Sequence, residues 1–226
     1  MLSRVANQQK LLRLLQLNSP SLPIGTYAYS QGLEAAISQG LIKDVEQAEH
    51  WLKTVLAHSI MPNDLAIMLR AYQAWQTEDV EQINRLIVQS RTLRETEELL
   101  QEDTHLSQAL LRLAEPLGIS FLEAFPRKNS LPVVYARFAQ IWQISIEETL
   151  TAFAWSWMEN QIAAFLKLCS VGQTQAQQLM LKMDEPILQA VQEALDLPNE
   201  LVGMNMPNFA ILSAQHEQQY SRLFRS

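Results

Sequence analysis

The sequence predicts an all-α protein, a single compact multi-helix domain of about eight to ten helices that covers residues 1–226. Apolar residues recur with the 3.6-residue period of an amphipathic helix along almost the whole chain. Alternation with a period of two, which is typical of strands, does not extend beyond a few residues. The chain contains only six glycines, which is fewer than the turns of an all-β sandwich or barrel usually need.

The apolar stripes place the predicted helices along the chain. In each stripe the spacing brings the apolar side chains onto one helix face. The stripes are Leu11, Leu14 and Leu15; Leu33, Ala36 and Ile37; Val80, Ile83 and Ile87; Leu150, Phe153, Trp157, Ala164 and Leu168; and Ala176, Leu179, Met180, Met183 and Ile187. The fourth stripe predicts a long core helix.

Capping residues and prolines support the same division into helices. The segments Asp44–Gln47 and Ser145–Glu148 have the spacing of a capping box. Gly40 stands where a helix that begins near Tyr29 should end. Prolines interrupt helical hydrogen bonding, so we expect them to separate the remaining segments. These prolines are Pro62, Pro116, Pro126, Pro132, Pro186, Pro198 and Pro207.

The charge and the cysteine content exclude several classes of protein. A formal net charge of −7 is opposite to the basic footprint of nucleic-acid binding, and the Arg127–Lys128 pair is too small to supply one. Cys169 is the only cysteine in the sequence, so we expect neither a disulfide within the chain nor a paired-cysteine metal site. No apolar run approaches the roughly 20 residues of a membrane helix, and the N-terminal leucines do not form a signal peptide. We therefore expect a cytoplasmic protein that binds neither nucleic acid nor membrane.

Common catalytic motifs are missing from the sequence. It contains no G-x-x-x-x-G-K-[ST] phosphate loop, no G-x-G-x-x-G and no G-x-S-x-G. Glu102 and His105 form one E-x-x-H motif, but the second copy that a helical di-iron site needs is absent. We interpret this helix face as solvated, with an acidic docking surface as the alternative, and we expect no metal or cofactor. The other acidic residues of the run are Glu95, Glu97, Glu98 and Asp103.

Residues 19–34, which read SPSLPIGTYAYSQGLE and are called the opening segment below, are not explained by helix packing alone. Pro20 and Pro23 favour an extended backbone, and Gly25 permits a turn that other residues resist. A helix is then expected to open near Tyr27 and Tyr29, which are amphipathic side chains of the kind enriched at protein interfaces.

Gly32 is expected inside that helix, where a glycine costs about 1 kcal/mol relative to alanine. Such a cost suggests that another helix or a partner packs closely on this position. The alternative is that the opening segment is a structured loop between two core helices.

The last eleven residues, HEQQYSRLFRS at 216–226, form the second unusual segment. Final residues are normally polar and frayed, whereas Leu223 and Phe224 are apolar and lie between Arg222 and Arg225. An apolar pair within a cationic segment predicts docking on another surface. The alternative is a last helical turn that packs on its own core, with its arginines favourably placed at the helix C-terminus.

These two segments resemble the opening and closing motifs of the UreF family of urease accessory proteins, and Gly172-Gln173-Thr174 resembles an internal segment of that family. The order and approximate spacing also match, so the resemblance covers nearly the whole chain. It predicts a set of partner-binding residues that belong to the three motifs. These are Pro20, Pro23, Gly25, Tyr27, Tyr29, Ser30, Gly32, Glu34, Gly172, Gln173, His216, Glu217, Tyr220, Arg222, Phe224 and Arg225.

The resemblance implies an all-helical homodimer that is not itself an enzyme. Members of the family join the accessory protein UreD, also called UreH, and recruit the GTPase UreG. The assembly docks on urease apoprotein and helps to insert nickel, which is a chaperone role. By this resemblance, Arg222, Phe224 and Arg225 are expected to order when the complex forms, with Tyr29 packed against them, and to build the surface that receives the GTPase.

Two other functions remain open at the level of the sequence. Arg222 or Arg225 could act as the arginine finger of a GTPase-activating protein. A small helical enzyme could use Cys169, or Glu102 together with His105. For the cysteine, the alternative interpretation is a small buried apolar side chain, because no cationic neighbour on its helix face favours a thiolate.

Overall fold

The computed structural model describes residues 2–122, 125, 126 and 128–226, so Arg127 of the basic pair lies outside the described residues. Within these ranges the regular structure is helical and no strand occurs, which confirms the predicted all-α class. The helices are α1 (Leu2–Leu17), α2 (Leu33–Ser38), α3 (Val45–Val55), α4 (Ala66–Gln76), α5 (Val80–Thr92), α6 (Glu97–Ala114), α7 (Leu131–Ile141), α8 (Ile146–Leu168), α9 (Gln173–Leu181), α10 (Asp184–Asp196) and α11 (Pro207–Glu217). Short 3-10 turns lie at Thr26–Ala28, Glu115–Leu117 and Asn199–Leu201. None of the described helices has the length and apolar character that crossing a membrane requires.

Helices α3 and α4 are parts of one continuous helix, because a π-helical segment, Leu56–Leu65, joins them. Pro62 lies inside this segment, so the prediction that Pro62 separates two helices is wrong. The wider turn of a π-helix changes the hydrogen-bond register, and the Pro62 carbonyl accepts a bond from the Gly203 N–H at 3.1 Å. When this long helix is counted once, the number of described helices agrees with the prediction.

Helix α7 lies at the centre of the core, where α4, α6 and α8 pack on it. It is buried from Leu131 to Ala139, as expected for a helix whose sequence is apolar on nearly every face. Trp75 of α4 is completely buried beside it and donates its indole N–H to the Val133 carbonyl at 2.9 Å. The guanidinium of Arg137 lies 4.8 Å from the centroid of the same indole ring. The large aromatic side chain therefore packs in the core without an unsatisfied donor.

The predicted capping signals are largely confirmed. Ser145 and Glu148 form the capping box of α8, in which the Ser145 hydroxyl accepts the Glu148 N–H at 3.3 Å and the Glu148 carboxylate accepts the Ser145 N–H at 3.1 Å. Asp44 caps α3 by accepting the Gln47 N–H at 2.8 Å. The long core stripe is contained in α8 as predicted, whereas the stripe after it is divided between α9 and α10.

Helix α1 is attached to the fold near its C-terminal end. Leu17 is 3 % exposed, and the next residue, Asn18, accepts a hydrogen bond from the Tyr135 hydroxyl at 2.8 Å. Leu11 and Leu15, in contrast, are 53 % and 59 % exposed. The predicted helix is confirmed, but two leucines of its apolar stripe face away from the core.

Helices α2, α6, α8 and α11 surround the opening segment. Helix α2 packs on both α8 and α11, and α11 also packs on α6. We predicted that α2 begins near Tyr29, but it begins at Leu33, because Gln31 and Gly32 have positive φ values of 51° and 80° that an α-helix does not allow. The residues between the first 3-10 turn and α2 are therefore non-helical, and their backbone N–H groups are available for other contacts.

Candidate partner-binding site where the two motifs meet

The opening segment and the C-terminal tail, residues 218–226, lie side by side in the structure. The Arg225 N–H donates to the Ala28 carbonyl at 2.9 Å, and the Ser226 carbonyl accepts the N–H groups of Ser30 and Gln31 at 2.7 and 2.9 Å. The Phe224 side chain is buried against the core. We call this contact between residues 28–34 and 222–226 the junction. The resemblance implies that the tail orders when a complex forms, whereas here it is packed on its own chain.

Glu34 binds the backbone of the tail. Its Oε1 atom accepts the Leu223 N–H at 2.7 Å, and its Oε2 atom accepts the Phe224 N–H at 3.0 Å. Burial alone raises the pKa of this carboxyl group, but hydrogen bonds from Leu223, His216 and Phe224 outweigh burial and hold the pKa below its usual value. Glu34 is therefore a carboxylate that satisfies two backbone donors of a segment without regular secondary structure.

His216, in the last turn of α11, lies between two carboxylates and has no exposed surface. Its Nε2 atom is 3.1 Å from Oε2 of Glu34, and its Nδ1 atom is 2.7 Å from Oε2 of Glu98. The other oxygen of Glu98 accepts a hydrogen bond from the Arg222 guanidinium. The histidine ring and this arginine thus connect α2, α6, α11 and the tail in one polar network.

Glu102 forms the opposite side of the junction. Its Oε1 atom accepts the Gln31 side-chain N–H at 2.7 Å, its Oε2 atom accepts the Ser226 hydroxyl at 2.8 Å, and Gln31 accepts the Trp157 indole N–H at 2.7 Å. Burial raises the pKa of Glu102 to about 7, although the donors from Ser226 and Gln31 oppose this shift. Glu102 is only 6 % exposed, so the prediction that it belongs to a solvated face is wrong. For the same reason Glu102 is not part of an acidic docking surface, which was the alternative interpretation.

Asp103 is also buried, so the solvated interpretation is wrong for this residue too. Arg94 lies between Asp103 and Asp64, with Nη2 distances of 3.1 and 2.6 Å to their carboxylates. Burial raises the pKa of Asp103, while the charge of Arg94 opposes the shift. The Asp103 carboxylate also accepts the Leu131 N–H at 3.0 Å. This cluster fixes α6 against the π-helical segment and α7, and so fixes the position of Glu102.

Two glycines of the opening segment have a left-handed backbone. Gly25 and Gly32 have φ values of +87° and +80°, in a region where a residue with a Cβ atom is strained. Gly32 does not lie inside a helix, as we predicted, but caps the N-terminus of α2. A Cβ atom at this position would lie 3.4 Å from the Ser213 backbone nitrogen. Helix α11 therefore approaches the glycine closely, which confirms the close packing that the sequence suggested.

The outer side of the junction carries aromatic, apolar and cationic side chains. Tyr220 is completely exposed, Leu223 is 63 % exposed, and Tyr27 and Arg225 are exposed as well. Tyr29, in contrast, is buried, so it is part of the support for the tail and not of its outer surface. Exposed tyrosine, arginine and aliphatic side chains on a fixed backbone have the chemistry of a protein contact surface.

The chain matches a family model described as UreF over residues 42–184. It is 41 % identical over 218 residues to the urease accessory protein UreF of Alkalilimnicola ehrlichii, with 95 % of each chain covered. It is 42 % identical over 220 residues to the urease accessory protein UreF of Teredinibacter turnerae, with 96 % of this chain and 99 % of the relative covered. The chain belongs to the UreF family. The family model covers Glu98 and Glu102 but not the opening segment or the tail, whereas the matches to whole relatives cover nearly the entire chain.

The remaining residues that the UreF-family motifs predict to bind a partner do not all lie at the junction. Gly172 and Gln173 lie at the exposed N-terminus of α9, which packs on α8 and α3. Pro20 and Pro23 are exposed near the start of the opening segment. Glu217 supports the junction, because its carboxylate accepts an N–H from the first turn of α6 at 3.2 Å.

The residues considered for catalysis lie on two helices: Glu102 and His105 are in α6, and Cys169 follows the last residue of α8. Cys169 lies at the C-terminal cap of α8, where burial raises the pKa of its thiol and so disfavours the thiolate. Glu102 is buried in the junction, whereas His105 is exposed. Glu95 and Glu97 are exposed, as predicted for a solvated face. Within the described part of the chain, no group of three or more His, Cys, Asp or Glu side chains could hold a metal ion.

Sequence reasoning does not identify Gln31 and Trp157 as residues of the site, and it names Glu98 only as a member of the acidic run. A local signal exists for Glu98, because it lies four positions before Glu102 and therefore on the same face of α6. No local signal exists for Trp157, whose hydrogen bond to Gln31 depends on the packing of α8 beside the opening segment.

Proposed function

We propose that this chain is a non-enzymatic scaffold for urease maturation in the cytoplasm. It joins the accessory protein UreD, also called UreH, recruits the GTPase UreG, and brings them to urease apoprotein for nickel insertion, acting as a homodimer. The name of its relatives, urease accessory protein, supports the role in maturation. The observation that carries the proposal is the junction, which holds the tail so that its aromatic, apolar and cationic side chains face outward.

The tail presents its outer side chains on a backbone that is fixed from within. Along the last four residues the side chains alternate, because Leu223 and Arg225 are exposed while Phe224 and Ser226 are buried. A partner can therefore contact the exposed side chains without first ordering the segment, which lowers the entropic cost of binding.

The two arginines of the tail have different surroundings and are proposed to have different roles. Arg222 is paired with Glu98, so it holds the tail in place. Arg225 is exposed beside Leu223 and is the arginine that we expect to contact the GTPase. Since the sequence has no phosphate loop of its own, the nucleotide has to be bound by such a partner.

The proposal is tested by measuring capture of the GTPase in pull-downs with the Arg225→Ala variant together with UreD. We expect this variant to fold and to dimerise like the wild type, because its side chain is exposed, but to lose at least about tenfold in affinity for the GTPase, as expected for an interface arginine. Arg222→Ala should weaken capture as well, but through loosening of the tail. Arg85→Ala, which removes an exposed arginine on α5, is the matched control and should capture normally. Wild-type capture by Arg225→Ala would refute the proposal.

A second candidate function is favoured by the same exposed side chain. Arg225 could enter the active site of the GTPase as an arginine finger, because it is an exposed residue of the tail. Kinetics separates the two functions. A finger variant keeps its affinity for the GTPase and loses the stimulation of GTP hydrolysis, whereas a scaffold variant loses capture itself.

A further inference from the structure

A cavity with a volume of about 90 Å³ lies between the opening segment, α6, α7 and α8. Ser19, Glu159 and Asn160 of its lining are partly exposed and mark its mouth, whereas Glu102 and Asp103 are buried and mark its inner end. We propose that this space, called the inner cavity below, binds a small organic ammonium ion such as a short alkylammonium. This binding goes beyond the scaffold function and does not rest on it.

Asp103 has one carboxylate oxygen without a partner at the inner end of the cavity. Its Oδ1 atom accepts hydrogen bonds from Arg94 and from the Leu131 N–H, at 3.1 and 3.0 Å. Its Oδ2 atom is buried and has no hydrogen-bond partner among the described residues. Asp103 is only 3 % exposed, and a buried acceptor without a donor is costly. An N–H donor of a ligand in the inner cavity would satisfy this oxygen.

Carboxyl groups outnumber cationic groups on the wall of the inner cavity. Among the described residues of the lining, Arg94 is the only Lys, Arg or His, and its guanidinium is shared between Asp64 and Asp103. Glu102 and Glu159 line the cavity as well. Four carboxyl groups thus surround the same space as one guanidinium. This charge distribution favours a cationic ligand over a neutral one and disfavours an anion.

The surroundings of these carboxyl groups also favour a cation. Burial raises the pKa of Glu102, Asp103 and Glu159. For Glu159 burial is the only cause of the shift, and for the other two it outweighs their hydrogen bonds and the charge of Arg94. The protein therefore compensates the ionised forms incompletely. A cation in the cavity would stabilise the ionised carboxylates and would be bound by them in return.

The rest of the wall fits the alkyl part of such an ion and limits its size. The lining includes four aromatic side chains, whose rings attract ammonium groups and cover apolar surface. They are Tyr29, Tyr135, Phe153 and Trp157. A cavity of about 150 Å³ holds benzene, so the smaller inner cavity admits only a ligand below that size. A metal ion fits less well, because the described residues offer no group of three or more side chains that could hold one.

The proposal is tested by titrating the full chain with propylammonium at about pH 8, where an alkylammonium is still protonated. 1-Propanol and acetate, which have the same number of non-hydrogen atoms, are the neutral and the anionic control. Binding is followed by the indole N–H signal of Trp157 in 15N-labelled protein, with Trp75, which does not line the cavity, as internal reference. We expect saturable binding of propylammonium with a Kd of about 1 mM, and at least about tenfold weaker binding of both controls.

Three variants locate the binding site. Asp103→Asn keeps one oxygen for Arg94 and Leu131 but places an NH2 group where Oδ2 lies, so it should lower the affinity for propylammonium by at least about tenfold. Glu159→Gln removes a partly screened charge at the mouth and should lower the affinity by about threefold. Glu147→Gln removes an exposed carboxylate from the same helix, so it is the matched control and should bind like the wild type.

Several outcomes would overturn the proposal. If propylammonium and 1-propanol bound equally well, the cavity would select for size alone. If none of the three probes bound saturably, the cavity would hold only water. Wild-type affinity in Asp103→Asn would place the ligand elsewhere. Should Asp103→Asn fail to fold, the three probes and the comparison of Glu159→Gln with Glu147→Gln still decide. None of these measurements involves a partner protein, so capture of the GTPase by Arg225→Ala tests the scaffold function separately.

Discussion

The two ends of the chain differ in how they are attached to the fold. Helix α1 is regular and rich in leucine, yet Leu11 and Leu15 are exposed and the helix is anchored near Leu17. The tail lacks regular secondary structure, yet Phe224 is buried and the backbone is bound by Glu34. The helical end is the loosely attached one, and the irregular end is the fixed one.

This difference shows that the attachment of a segment depends on the hydrogen-bond partners that the rest of the fold provides for its backbone. The backbone groups of α1 are satisfied within the helix, so it can lie outside the core without penalty. The tail has no helix to satisfy its N–H groups, and a buried N–H without a partner costs about 1–3 kcal/mol. Glu34 supplies the acceptor for two of these N–H groups, those of Leu223 and Phe224.

The largest expected effect comes from Glu34→Ala. This variant lacks the side chain that binds the tail backbone, so the tail should become as loosely attached as α1. The substitution leaves the N–H groups of Leu223 and Phe224 without an acceptor and His216 without one of its two carboxylates. We expect the free energy of unfolding to fall by about 3 kcal/mol, as measured by urea denaturation. Protection of the two tail amides from hydrogen exchange should be lost at the same time.

Glu81→Ala on α5 is the matched control for this substitution. Glu81 forms an ion pair with Arg85 in which both side chains are largely exposed, and such pairs contribute little to stability. This variant should unfold like the wild type. If the two glutamate variants had the same stability, the junction would not be what fixes the tail.

A smaller effect is expected for Glu102→Gln, and it depends on pH. The pKa of Glu102 is raised from 4.5 to about 7 in the folded chain, so the folded state keeps a proton that the unfolded state has lost. Wild-type stability should therefore fall as the pH rises from about 4.5 to about 7, by up to about 3 kcal/mol. Glutamine resembles the protonated acid, so the variant should lack this slope in denaturation curves recorded across the range. An identical slope in both proteins would show that Glu102 is ionised in the folded chain throughout.

The smallest effect is expected at the other end of the chain. Leu11→Gln and Leu15→Gln change side chains that are already exposed, so the free energy of unfolding should change by less than about 0.5 kcal/mol. Leu17→Ala, in the same helix but buried, should reduce it by about 2–3 kcal/mol. Thermal or urea denaturation of the three variants checks the contrast. A large loss at Leu11 would mean that α1 is packed on the fold along its length.

The sequence-based predictions were correct where a feature depends on neighbouring residues, and wrong where it depends on contacts with other segments. The capping box at Ser145 and the long stripe of α8 were predicted correctly, because both depend on residues within a few positions of one another. Glu102 and Asp103 were wrongly predicted to be solvated, because α6 has an acidic sequence around them. The partners of these two carboxylates come from other segments: Ser226 donates to Glu102 from 124 positions away, and Leu131 and Arg94 donate to Asp103 from 28 and 9 positions away. The predicted roles of Tyr220 and Arg225 in partner binding stay predictions.

By itself the sequence determined the helices, their caps and the two unusual segments, and it pointed to the family, because periodicity and motif spacing act over short distances along the chain. Only the tertiary structure decided that the two segments meet, that Glu34, Glu98 and Glu102 face inward, and that His216 lies between two of these carboxylates. The physical reason is that burial of a charged group depends on the partners that folding brings to it, and no local pattern specifies those partners.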